Sequence, residues 1–142
     1  HWLDLVSGMF EAYDRGHQTG ILVDEKNNIL EGPGFNIFCL NKGVLQTPGH
    51  GVLNGITRGA VIDIAKKLNI PVNLVSISFE NLSSSEEVFA TSTAGGIMPI
   101  TKINGKKVKS GNFGEITRKL HKIYWEKHFD PKWSFSLKDI LY

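Results

Sequence analysis

Three short stretches of the chain hold residues whose types and spacing could do chemistry. The first is Leu30-Glu31-Gly32-Pro33-Gly34-Phe35-Asn36-Ile37-Phe38, a lone carboxylate set against a Gly-Pro-Gly bend with an aromatic and an Asn just beyond. By itself it reads as a surface turn; beside the other two it reads as one wall of a site. The second is Thr47-Pro48-Gly49-His50-Gly51-Val52-Leu53-Asn54-Gly55-Ile56-Thr57-Arg58, where a strand ends, a glycine-rich loop follows and a helix begins near Thr57. The first turn of a helix offers N–H groups without acceptors and the positive end of the dipole, which suits an anion. Gly55 leaves bare backbone where an anion would approach. Thr57 could give its hydroxyl to a phosphate oxygen or serve as an ordinary helix cap. The third is Ala90-Thr91-Ser92-Thr93-Ala94-Gly95-Gly96, a strand running into the hydroxyls of Ser92 and Thr93 and then into small residues that leave room against the main chain. A bulge or tight turn would use the same letters. Neither glycine stretch is a Walker loop or a dinucleotide fingerprint.

Other chemistries find less support. His121 and His128 lie seven residues apart on one helical pattern, and with one cysteine no metal site is expected. His50 reads as a solvated loop residue that could approach a ligand. No Ser-His-Asp set can be read from sequence order. Cys39 lies in an apolar run and is expected to be a small buried hydrophobe in a reducing compartment. Asn81-Leu82-Ser83 matches a glycosylation acceptor by letter, with no secretion signal to accompany it. The 142 residues are 41% hydrophobic and 21% charged with a net charge of +2, which fits one globular domain and points to neither a nucleic-acid nor a membrane partner. No apolar run reaches transmembrane length. The chain opens on His1, directly inside a helical pattern, so preceding residues are expected.

The elements that must position these stretches follow from periodicity. Trp2, Val6, Met9 and Tyr13, with Leu3 and Phe10 beside them, predict an amphipathic helix stopped at Gly16. Residues 20–23 and 28–31 flank a turn and predict a hairpin, and 36–40 with 43–46 predict a second. Val61, Ile64, Ala65 and Leu68 predict a helix over Thr57–Leu68, ended by Asn69 and Pro71. Strands are expected over Val72–Ser78, Val88–Thr91, Ile97–Ile103 and Lys107–Val108, with a Ser- and Glu-rich connection over Leu82–Glu87. Ile116, Leu120, Ile123 and Tyr124 predict a last helix, stopped near Pro131. The fold class is therefore mixed α/β with a sheet that is not purely parallel.

Taken together, Glu31, Asn36-Ile37-Phe38, Leu45-Gln46-Thr47 and Leu53-Asn54-Gly55-Ile56-Thr57-Arg58 resemble, in order and spacing, the large C-terminal domain of class IV (fold type IV) pyridoxal-phosphate aminotransferases. That family includes branched-chain and D-amino acid aminotransferases, (R)-selective amine transaminases and aminodeoxychorismate lyase. The short run from Thr47 to Leu53, the run Thr93–Thr101, the tail Tyr124-Trp125-x-x-His128 and the opening around Trp2 are most similar to the (R)-selective amine transaminase and D-amino acid branch. Pro33 departs from the usual small residue. The resemblance implies a D-amino acid aminotransferase-like fold, a curved mixed sheet flanked by helices, over residues 1–142. It implies pyridoxal 5'-phosphate as cofactor, amine or amino acid and keto acid as substrates, a ping-pong course through pyridoxamine phosphate, and a cytoplasmic homodimer. Glu31 would contact the pyridine nitrogen. Ile56, Thr57 and Thr93 would hold the phosphate, with Phe35, Asn36, Leu53 and Ser92 also at the cofactor. Trp2, Ala94 and Gly95 would shape the substrate pocket. The Schiff-base lysine and the N-terminal domain would lie upstream of His1, so the chain alone is expected to be inactive and, with its docking face bare, to self-associate. The alternatives are another class IV activity, or a non-catalytic anion-binding or interaction domain on the same scaffold.

Overall fold

The computed structural model describes residues 2–139. Helix α1 (Trp2–Asp14) leads through an irregular segment to strands β1 (Asn36–Asn41) and β2 (Val44–Pro48). Helix α2 (Ile56–Lys67), strand β3 (Val72–Val75), the short helix α3 (Phe79–Ser83) and strands β4 (Glu87–Ser92) and β5 (Gly96–Pro99) follow. A two-stranded hairpin, β6 (Lys102–Ile103) and β7 (Lys106–Lys107), precedes helix α4 (Glu115–Glu126), which runs on into a 3₁₀ turn. The five-stranded sheet has the order β3-β2-β1-β4-β5. Among the described residues only β2 and β3 pair in parallel, and α2 makes their crossover. The mixed α/β expectation is met.

The central strand reads Asn-Ile-Phe-Cys-Leu-Asn because both of its faces are covered. Phe38 and Leu40 point to one side, where Leu45, Phe89 and Ile97 pack on Val61, Ile64 and Ala65 of α2 and Leu120 of α4. The rings of Phe38 and Phe89 stack with centroids 5.0 Å apart. Ile37 and Cys39 point to the other side, onto Ile29, Ile77, Leu82, Val88 and Val108. Burying the Cys39 thiol pushes its pKa up.

Antiparallel pairing sets Asn36 of β1 opposite Thr91 of β4. The start of β1 and the ends of β2 and β4 therefore lie at one edge of the sheet, and α2 begins there. All three stretches singled out above meet at this edge.

Several elements differ from expectation. Residues 20–31 exchange backbone bonds, Leu22 N–H to Glu31 O and Leu30 N–H to Leu22 O at 2.9 Å each, yet form only an isolated bridge, Val23 to Ile29. Leu22 bonds two successive residues of the other arm, Leu30 and Glu31, which bulges the ladder, while Ile29 N–H faces outward and donates to Ile77 O at 2.7 Å. The strand expected over Val72–Ser78 stops at Val75 because the Ser78 hydroxyl caps α3, accepting from Asn81 N–H. The expected Ile97–Ile103 strand splits into β5 and β6, and the hairpin turn after β6 uses the left-handed pair Asn104 and Gly105. The apolar stripe of α1 is largely uncovered: Trp2 is 72% exposed, Leu3 74% and Phe10 59%. The helix packs on the irregular segment that follows it through glycines, since a Cβ on Gly20 would come within 2.9 Å of Gly8 O.

Candidate functional site

Helix α2 begins at the loop's end with Gly55 as N-cap, and no side chain caps it. Its first intrahelical bond runs from Gly59 N–H to Gly55 O at 2.9 Å, so the N–H groups of Ile56, Thr57 and Arg58 have no acceptor in the helix. The expectation that Thr57 caps the helix is corrected. Thr57 lies inside the first turn, buried, with its hydroxyl 3.4 Å from the Tyr124 hydroxyl of α4. Gly55 has a reason to be glycine that the sequence did not show. A Cβ there would collide with Asn36 Oδ1, so the glycine makes room for a side chain of β1.

Glu31 stands beside this turn. Its Oε2 accepts from Asn36 Nδ2 at 2.8 Å and from Leu53 N–H at 2.9 Å, and Asn36 Nδ2 also donates to Leu53 O at 2.9 Å. Among the described residues no hydrogen bond reaches Oε1. Arg58 folds back under the same loop. It donates to Thr47 Oγ1 at 3.2 Å, to Pro48 O at 2.7 Å and to Asn54 Oδ1 at 3.3 Å, and the Thr47 hydroxyl passes a bond on to Ile37 O at 2.7 Å. Burial lowers the Arg58 pKa from its ordinary value and the Glu31 carboxylate pulls it back up, so the guanidinium stays charged at any working pH.

At the third stretch, Gly95 N–H donates to Ser92 Oγ at 2.9 Å and closes the turn. Thr93 and Ala94 stand exposed at its tip and Gly95 is half-buried. Gly96, at φ +63°, packs on Tyr124 and Trp125, where an added Cβ would meet ring carbons at 3.0 Å. Thr91 Oγ1, buried in β4 opposite Asn36, has no hydrogen-bond partner among the described residues.

The structure thus gathers Glu31, Asn36, Leu53, Ile56, Thr57, Ser92, Thr93, Ala94 and Gly95 at one edge. Leu53 and Ile56 turn their side chains to solvent, 70% and 88% exposed, and offer only backbone there. Phe35 packs into the second core, its ring over Gly32, where a Cβ would collide with it. Trp2 stands exposed on the first turn of α1. His50 is exposed and lines an open groove with Asp24 and Lys26. Among the described residues no cluster of His, Cys, Asp and Glu could hold a metal ion, and no helix is long and apolar enough to cross a membrane. Sequence reading gave no part to Thr91 or to the Arg58 fold-back, and took Tyr124 as a helix-face residue and part of a tail motif, not as a neighbour of Thr57. Only the letter pattern hinted at Arg58.

An α/β domain with a held carboxylate beside an uncapped helix start is what fold and site define. The chain belongs to the family described as amino-transferase class IV, which it matches over residues 1–103. It is 35% identical over 141 residues to a putative branched-chain-amino-acid aminotransferase of Methanocaldococcus jannaschii, covering 98% of this chain and 48% of the relative. It is 38% identical over 117 residues to the branched-chain-amino-acid aminotransferase of Escherichia coli (strain K12), covering 81% of this chain and 38% of the relative. Among solved structures, the Thermoproteus uzoniensis branched-chain aminotransferase, determined with norvaline, superimposes with a TM-score of 0.86 at 36% identity, over 93% of this chain and 45% of that one. The Thermobaculum terrenum branched-chain amino acid aminotransferase, determined in its PLP-form, gives 0.80 at 33% identity, over 84% and 40%. The chain spans 48% and 38% of the length of the two curated relatives, less than half of each.

Proposed function

We propose that residues 1–142 form the C-terminal domain of a pyridoxal 5'-phosphate-dependent aminotransferase that moves an amino group between an amine or amino acid and a keto acid. The observation that carries this reading is the one-sided hold on Glu31, with Oε2 taken by Asn36 and Leu53 and Oε1 left open beside the first turn of α2. An open carboxylate oxygen suits a ring nitrogen that carries a proton. The donor set fits the phosphate: the N–H groups of Ile56 and Thr57 and the hydroxyls of Thr57 and Thr93, with Ser92 holding the turn that carries Thr93. Bound there, the cofactor supplies an electron sink for the carbanion formed at the substrate. Glu31 keeps the ring nitrogen protonated, which deepens that sink. Asn36 and Leu53 hold Glu31, and Phe35 shapes the bend that presents it. Trp2, Ala94 and Gly95 border the substrate side. The lysine that would bind the cofactor covalently, and the N-terminal domain, belong upstream of His1, and the 48% coverage of the longer relative supports this. A cytoplasmic homodimer belongs to the same proposal.

The test is titration with pyridoxal 5'-phosphate followed by absorbance. Saturable binding that weakens in Glu31→Ala and in Thr57→Ala is expected; binding indifferent to both overturns the reading. Two substrate classes remain, each favoured by an observation. The relatives named above are branched-chain aminotransferases. The short run from Thr47 to Leu53 and the Tyr124-Trp125-x-x-His128 tail favour the (R)-selective amine and D-amino acid branch. Turnover of L-leucine with 2-oxoglutarate against that of an (R)-aryl amine with pyruvate, in the full-length protein, decides between them.

A further inference from the structure

We infer that Asn36 is a positioning residue that sets which oxygen of Glu31 faces the site and ties that setting to the first turn of α2. The inference rests on the reading of Glu31 as partner to a cofactor ring nitrogen.

Asn36 is 5% exposed, and its backbone is fixed at the head of β1 by pairing with Thr91. Its side-chain nitrogen has two hydrogens, and both are used: one on Glu31 Oε2 at 2.8 Å, the other on Leu53 O at 2.9 Å. Leu53 N–H returns to the same Oε2 at 2.9 Å. The three groups close a ring of hydrogen bonds around one carboxylate oxygen. Flipping the amide would set its oxygen against two acceptors, so chemistry fixes its orientation. The amide oxygen is then aimed at Gly55, whose missing side chain is the space it occupies. Gly55 is the N-cap of α2, so its placement aims the N–H groups of Ile56 and Thr57. One side chain therefore holds the carboxylate at one end of the site and seats the helix start at the other. Holding both ends in place before binding spares the ordering cost when a rigid ligand joins them.

The test is a double-mutant cycle read as affinity for pyridoxamine 5'-phosphate, which needs no lysine to bind, in the full-length protein. Asn36→Ala is expected to weaken binding about tenfold, the scale of one lost charge-assisted hydrogen bond. In the Glu31→Ala background the same change is expected to cost several-fold less, because the part carried through Glu31 is gone and only the hold on the first turn of α2 remains. Gly55→Ala keeps every hydrogen-bonding group, evicts the amide oxygen and is expected to show the same masking. A second readout needs no ligand: the Asn36 side-chain amide pair in the ¹⁵N spectrum should exchange slowly and move on Glu31→Ala. If Asn36→Ala does not fold, Gly55→Ala and the spectrum carry the test. Equal costs in both backgrounds, or an amide pair indifferent to Glu31→Ala, overturn the inference while the cofactor reading stands. Full affinity in Glu31→Ala overturns the Glu31 reading and the inference with it.

Discussion

Two loops of small residues line the same edge of the sheet and are held in opposite ways. The loop from Pro48 to Gly55 is wired by polar groups. Arg58 grips it at Pro48 O and Asn54 Oδ1, and Glu31 and Asn36 grip it at both backbone atoms of Leu53. The turn from Ser92 to Gly96 joins paired strands, with Ser92 opposite Gly96, and beyond that ladder it has one side-chain bond, Gly95 N–H on Ser92 Oγ, and packing, Gly95 on Met98 and Gly96 on Tyr124 and Trp125. The difference teaches how each can fail. A wired loop loses its geometry when one buried donor goes, because the acceptors left behind are costly. A packed turn tolerates changed side chains at its exposed tip but not added bulk at its glycines.

The widest gap between the two should open with Arg58→Met. It strands Thr47, Pro48 and Asn54 and should cost about 3 kcal/mol in denaturant unfolding; a loss below about 1 kcal/mol would mean that the loop is not held by its wiring. Gly96→Ala tests the packed turn, where a left-handed residue gains a Cβ against two rings. A loss of about 2 kcal/mol is expected, and a neutral result would show that shape does not hold this turn. Thr93→Ala, at the exposed tip, should change stability by less than about 0.5 kcal/mol while weakening pyridoxal 5'-phosphate binding about tenfold. A stability loss as large as that of Gly96→Ala would erase the distinction between tip and glycine.

Cys39 reports on the same comparison from the far face of the sheet. Its folded-state pKa lies above the unfolded one, so the native state's advantage is full below the unfolded thiol value, about 8.5, and is lost as pH rises through the folded value. At pH 8 a thiol reagent should label it only through global opening. Labelling should therefore quicken in Arg58→Met and stay unchanged in Thr93→Ala, and equal quickening would mean that the two loops share one stability.

Much of this could be read from the letters. The apolar spacing of Val61, Ile64, Ala65 and Leu68 predicted α2 to within a residue at each end, and residues 36–40 were predicted as a strand with Cys39 buried in it. These signals are local: helix and strand period are set by groups a few residues apart. The order of Glu31, Asn36, Thr47 and Ile56-Thr57-Arg58 was enough to place the chain in its family. Other features were decided by distance in sequence. Leu53 meets Asn36 across 17 residues and Glu31 across 22. Glu87 of β4 takes Ile116 N–H and Thr117 N–H and caps α4 from 29 and 30 residues away, filling the space that Gly114 leaves bare. Composition placed glycine at Gly55 and Gly114, but only the tertiary structure shows that each makes room for a polar side chain from another element. The physical reason is that a cap or clamp is satisfied by whichever group the packed sheet brings within about 3 Å, and that group leaves no periodic trace near the residue it serves.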